Sequence, residues 1–273
     1  MKIAKVIMSV YAWLTFRPGY MLLTADDRAL AGEKAGKFRQ GWLGIISVSI
    51  IWSFACVGLW HLTITFANDQ GPMSPIPAAA VLLPFVLWFY RRSIMAMAKV
   101  CFPRRRDERT ILIVVIVALL LLYFLDVRGQ AEEHGSWYAY WLGDWQWLRP
   151  RASYRPLLLG PLWGAWAMLI MPQFSRANKD TEPAIAAYAD GCGPAKAAFM
   201  MAFPLAGSLY YFNHLSWWQI SISALAVLSA TVGGLVICKA TGGLKRRSLL
   251  AVNILTQLVF YFAYLTNRVF LGA

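Results

Sequence analysis

The chain has 273 residues, 59% hydrophobic and only 14% charged, with 13 Trp, mean hydropathy +0.52 and a formal net charge of +13. A soluble domain of this length needs far more charge to cover its surface, so the composition excludes an ordinary soluble globule and predicts a polytopic membrane protein. The cations sit at the ends of apolar runs and not along one soluble face, which sets nucleic acid aside and points to membrane topology and anionic headgroups.

Residues 1–41 read as a basic N-terminal region with an interfacial helix, too interrupted to span. Lys2 and Lys5 precede the apolar stretch Ile7–Leu14, which runs into Arg17-Pro18 and not into a small-residue cleavage site. Trp42–Ala67 is the first predicted span, long enough for about 30 Å of hydrocarbon. After the polar turn Asn68–Ser74, a second span, Pro75–Tyr90, is expected to kink at Pro77 and Pro84 and to end at Arg91-Arg92. A basic elbow follows, in which Ser93–Phe102 reads as a short apolar piece that re-enters or lies flat.

Ile111–Leu125 is the third span, and residues 126–155 form a long Trp-rich connection. Leu157–Phe174, Ala197–Phe212, Trp217–Cys238 and Leu249–Leu265 complete seven spans in one domain covering residues 1–273. Lys and Arg number 7, 7, 3 and 4 in the segments on the N-terminal side (1–41, 91–109, 175–196, 239–247). On the other side they number 0, 4, 0 and 1 (68–74, 126–155, 213–216, 266–273). This asymmetry predicts a cytoplasmic N-terminus and an external C-terminus. The fold class expected is therefore all-α, with about seven transmembrane helices plus an interfacial helix.

Four cysteines, Cys56, Cys101, Cys192 and Cys238, show neither CxxC pairing nor framework spacing. His61, His134 and His214 fall on the outer side and are the weak metal candidates; solvated histidines are the plainer reading. Trp137, Trp141, Trp145 and Trp147 also collect there, as an aromatic belt or as a docking face for a protein partner or lipophilic ligand. The inner side carries Arg91, Arg92, Lys99, Arg176, Lys179, Lys245, Arg246 and Arg247, the candidate contacts to anionic lipid or phosphate groups. Asn253 and Gln257 share a helix face and should point into the bundle to find partners. Small residues four apart (Gly160 with Gly164, Ala230 with Gly234) predict close helix packing. No GxSxG, HExxH, P-loop or Rossmann pattern occurs.

Three islands resemble the cobalamin synthase family (adenosylcobinamide-GDP ribazoletransferases), integral membrane enzymes. Trp13-Leu14-Thr15-Phe16-Arg17-Pro18 resembles that family's aromatic-Leu-Thr-Arg-Leu-Pro opening. Gly242–Phe260, GGLKRRSLLAVNILTQLVF, lines up with its GGxTGDxLGAxxELxELVF. Phe102 and the arginines after it match an aromatic residue and basic run that follow an acidic motif in the family. Here the family's Thr-Gly-Asp is Lys245-Arg246-Arg247 and its two Glu are Ile254 and Gln257. The positions of the acidic motif hold Arg92, Ala96 and Lys99. The resemblance implies the scaffold with the charge of its metal site reversed, and Mg²⁺ needs carboxylate oxygens. The expectation is a non-catalytic binding or assembly subunit of a membrane complex, with no cofactor, in a bacterial inner membrane. The alternatives are an active transferase of that type, or a transporter or cofactor-binding subunit with haem or metal on the outer histidines.

Overall fold

The computed structural model describes residues 2–68, 76–126, 155–211 and 217–271, and all their regular structure is helical. Helix α1 (Lys2–Thr24) leads into a short α2 (Asp27–Ala31) and a 3-10 turn (Ala35–Gln40). Next come α3 (Gly41–Asn68), α4 (Ile76–Cys101), α5 (Arg106–Asp126), α6 (Arg155–Phe174), the short α7 (Pro183–Gly191) and α8 (Pro194–Tyr211). Helix α9 (Trp217–Leu228) passes through a π turn (Ser229–Gly233) into α10 (Gly234–Thr241), and α11 (Arg246–Leu271) closes the chain.

Five stretches are long and apolar enough to cross a membrane: Ala35–Trp60, Ala79–Cys101, Pro156–Phe174, Ile220–Thr241 and Arg246–Thr266. The other two predicted spans fall on α5 and α8. Two expectations change. Helix α4 does not stop at Arg91-Arg92 but runs on to Cys101, so Ser93–Phe102 is no separate piece. No breaker stands between Tyr90 and Cys101, and long cationic side chains can reach polar surroundings without ending a helix. Helix α1 likewise runs unbroken through Pro18.

Helices α6 and α11 form the enclosed centre, with α11 packed on α6 and α4, and α3 on α6 and α1. Gly160 and Gly164 on α6 make room for Tyr261 and Gln257 of α11, and Gly234 for Met171, as the small-residue spacing predicts. Between α3 and α4, Trp52 stacks on Phe89 and Phe85 at 3.7 and 4.4 Å, each such pair contributing about 0.5–1.5 kcal/mol beyond its area. Ile51, Val114, Phe199, Val236 and Phe262 are exposed on the outside, the surface a bundle presents to hydrocarbon.

One carbonyl left open by proline is satisfied from a neighbouring element. Pro172 has no N–H for the Met168 carbonyl, and the buried Tyr188 hydroxyl of α7 donates to that oxygen at 3.0 Å. One residue on, Cys192 Sγ donates to the Leu169 carbonyl. Within α9–α10, Ser229 and Thr231 hydroxyls donate back to the Ala226 and Val227 carbonyls at the π turn, competing with the helical ladder there.

Helix α1 meets α3 backbone to backbone. A Cβ on Gly19 would strike Gly44, one on Gly44 would strike the Thr15 carbonyl, and Gly41 sits against Leu22. These pairs run in reverse order along the two helices, so α1 and α3 are antiparallel, and only glycine permits so close a crossing.

Candidate functional site

One end of the bundle gathers the C-terminus of α1, α2, the loop 175–182, the α10–α11 turn and the last part of α4. The turn exists because Gly242 and Gly243 take φ of 74° and 117°, values L side chains rarely adopt. They terminate α10 with Gly242 and Gly243 N–H donating back to the Lys239 and Cys238 carbonyls. The loop 175–182 clasps this turn. Asn178 Nδ2 donates to the Gly242 carbonyl and Thr181 Oγ1 to the Leu244 carbonyl, both at 3.0 Å.

Helix α11 opens at Arg246, whose side chain is 6% exposed. Its guanidinium donates to the carbonyls of Met21, Leu22 and Ala25 at the end of α1, and to Asp27 Oδ1 at 2.6 Å. A cation there complements both the open carbonyls and the negative end of the α1 dipole. Its own backbone N–H donates to Glu182 Oε2 at 3.3 Å. Asp26, beside it, caps α2 by accepting from the Ala29 N–H at 2.8 Å, and that bond holds its carboxyl below the ordinary range. Arg92 lies near enough to act electrostatically on both Asp26 and Arg246; its Nε is buried without a partner.

The predicted inner cations thus fall into three kinds. Arg246 is buried and committed to α1, while Arg92 and Lys245 are half-buried. Arg91, Lys99, Arg176, Lys179 and Arg247 are exposed, and none has an ion-pair partner among the described residues. Three acids of this end are engaged, Asp27 with Arg246, Glu182 with the α11 amide and Asp26 at the α2 cap, while Asp180 of the loop is exposed. Among the described residues no three His, Cys, Asp or Glu side chains group closely enough to hold a metal ion. A magnesium ion here would face the guanidinium of Arg246, with Asp26, Asp27 and Glu182 already bonded to other groups.

Deeper in the bundle, Asn253 and Gln257 are buried, and Gln257 Nε2 donates to Asn253 Oδ1 at 2.8 Å. The Tyr90 hydroxyl of α4 sits beside Gln257, so the pair does face the interior. Trp137, Trp141, Trp145, Trp147, His134 and His214 lie outside the described residues; His61 lies on α3, with its side chain outside them.

Sequence reasoning missed a second polar cluster between α1 and the 3-10 turn. Glu33 accepts from Arg17 and from Lys37 Nζ, the latter at 3.1 Å, and the Lys37 bond is the main reason its carboxyl is held below the ordinary range. Both cations lie over the Trp13 ring, at 4.7 and 4.9 Å from its centre. The signal was the i, i+4 spacing of Trp13 with Arg17 and of Glu33 with Lys37.

Compared with known proteins, the chain matches no family model, no curated protein and no solved structure.

Proposed function

We propose that the chain is a non-catalytic, seven-span membrane protein on a cobalamin-synthase-like scaffold, serving as a binding or assembly subunit of a membrane complex. Its basic end, where α1 finishes and α3 begins, is cytoplasmic and its C-terminus external, in a bacterial inner membrane, and that inner face is a fixed basic surface for anionic partners. Seven spans come from adding α5 and α8 to the five membrane-length stretches, and the positive-inside count orders them.

The observation that carries this reading is the commitment of Arg246. Next to Arg247, where the resemblance calls for acid, the guanidinium of Arg246 closes the mouth by holding the end of α1, and Asp27, Glu182 and Asp26 are bonded to it, to its backbone and to α2. Such an end is stitched shut by side-chain to backbone bonds, and its exposed Arg91, Lys99, Arg176, Lys179 and Arg247 remain for binding. Lipid headgroups, a phosphate-bearing ligand or an acidic partner suit that surface equally in charge.

The test is a magnesium titration of protein in mild detergent at matched ionic strength, read as thermal stability and as turnover of a nucleotide-activated lipophilic substrate. Neither should respond specifically to magnesium. Saturable stabilisation by magnesium that disappears in Asp26→Asn or Asp180→Asn would overturn the reading.

A further inference from the structure

The groove between α1 and the 3-10 turn is lined by the apolar Trp13, Leu14, Pro18, Met21 and Phe38 together with the charged Arg17, Lys37 and Glu33. We infer that it holds one anionic phospholipid, the phosphate on Arg17 and Lys37 and an acyl chain along α1. This inference rests on the reading of the chain as a membrane protein whose inner face meets anionic headgroups.

Charge comes first. Two cations share one carboxylate, so the groove keeps one net positive charge, and both cations are fixed over the same indole. A phosphate with its chain neutralises that excess; a zwitterionic headgroup does not.

Shape and pattern follow. Val6, Val10, Trp13 and Arg17 recur at i, i+4, i+7 and i+11, one face of a helix. Val6 is 60% exposed, Val10 51% and Trp13 47%, so this apolar stripe is uncovered. It rises about 16 Å from its cation, the reach of an acyl chain. Because α1 is antiparallel to α3, the stripe leaves the charged end in the direction that α3 enters the bundle. The Trp13 ring stands where charge gives way to apolar surface, the position indole favours at a membrane boundary.

Glu33 gives the site an internal competitor, because it already occupies the donors a phosphate needs. Neutralising it should therefore strengthen lipid binding while loosening the unliganded protein, and a purely structural role for the cluster predicts only the loosening.

The experiment uses the full chain, delipidated in mild detergent, with phosphatidylglycerol, phosphatidylcholine or inorganic phosphate added. Apparent affinity is read by native mass spectrometry and by the shift in melting temperature. Phosphatidylglycerol should bind and stabilise, phosphatidylcholine and inorganic phosphate much less. Arg17→Gln and Lys37→Gln should each weaken phosphatidylglycerol about five-fold, from about 1 kcal/mol per surface cation, and Glu33→Gln should tighten it.

If phosphatidylglycerol acts equally on the Arg17→Gln/Lys37→Gln protein but loses its effect in Arg91→Gln/Arg247→Gln, the groove assignment falls and the basic-face reading stands. If no anionic lipid acts on any form, both fall. Protection by inorganic phosphate equal to that by phosphatidylglycerol would overturn the lipid as occupant. Should the double variant not fold, Glu33→Gln decides: a tighter phosphatidylglycerol complex supports the site and an unchanged one refutes it.

Discussion

Replacing Arg246 by Met is the sharpest perturbation available, because it keeps the aliphatic stem and removes only the fork. Of the three carbonyls the guanidinium serves, Met21 already accepts from the Ala25 N–H, so two, Leu22 and Ala25, are left wanting. A buried polar group without a partner costs about 1–3 kcal/mol, and a cation at a partly buried helix C-terminus contributes up to about 2 kcal/mol. The ion pair itself adds little, since the Asp27 side chain is 95% exposed and surface pairs give about 0–1 kcal/mol. Methionine also relieves the desolvation of a buried charge, which offsets part of the loss. The expected net cost is about 3 kcal/mol, or roughly 6–12 °C in melting temperature at about 2–4 °C per kcal/mol. The assay follows thiol reactivity on heating in mild detergent, because Cys56, Cys192 and Cys238 are buried until the bundle opens. Cys101 is exposed and is changed to Ser in every protein compared. Arg246→Lys, with one compact donor group, should recover part of the loss, and Asp27→Asn should cost almost nothing. If Arg246→Met melts within 2 °C of its parent (below the range above), or if Asp27→Asn costs as much, Arg246 does not hold α1 and the account of the mouth is wrong.

Tyr188→Phe leaves the proline-freed Met168 carbonyl without its donor and should destabilise by about 1–3 kcal/mol in the same thiol assay, whereas Tyr20→Phe, at an exposed site, should not. Acid should loosen the N-terminal region: Asp26 and Glu33 both hold protons less tightly folded than unfolded. Their contribution is therefore complete above the ordinary carboxylate range and lost as pH falls through their lowered values, so melting temperature should decline below about pH 4. Asp26→Asn/Glu33→Gln should flatten that decline, and an unchanged pH profile would sink the assignment. Finally, Cys101 is the one exposed thiol of the four, so an impermeant maleimide should label it in inside-out vesicles and leave right-side-out vesicles unlabelled. Labelling from the outside would invert the proposed topology.

The helices were legible because apolar runs bounded by charge are a local signal, and α3, α4, α6, the α9–α10 run and α11 all coincide with such runs. The end of α4 was misread for a physical reason. An Arg-Arg pair marks where a side chain must find polar surroundings, and a long side chain finds them several ångströms from its backbone, so the helix continues to Cys101. Glycine spacing on α6 was likewise readable, whereas the Gly19–Gly44 crossing joins two helices whose relative direction no local pattern states. The mouth was legible as basic and no further. Nothing near position 246 reveals that its partners are carbonyls more than 220 residues away, since backbone acceptors carry no side-chain signature.

The division of these cations explains why introducing an acid at position 246 should not create a metal site. A guanidinium brings five donors, and here four bonds run to three carbonyls at the end of α1 and to Asp27. Arg246→Asp removes those donors and sets a carboxylate beside the Leu22 and Ala25 carbonyls, at the negative end of the α1 dipole and near Asp27. Two repulsions then replace one clasp, so this variant should be less stable than Arg246→Met, by roughly another 1–2 kcal/mol from the reversed charge–dipole interaction. Magnesium could offset that repulsion only if α1 stayed in place to share the site, yet α1 is what the lost clasp held. The expected outcome is a lower melting temperature that magnesium fails to recover in the thiol assay. Recovery specific to magnesium, and not reproduced by sodium at equal ionic strength, would mean that the arginine occupies a metal site whose other ligands survive.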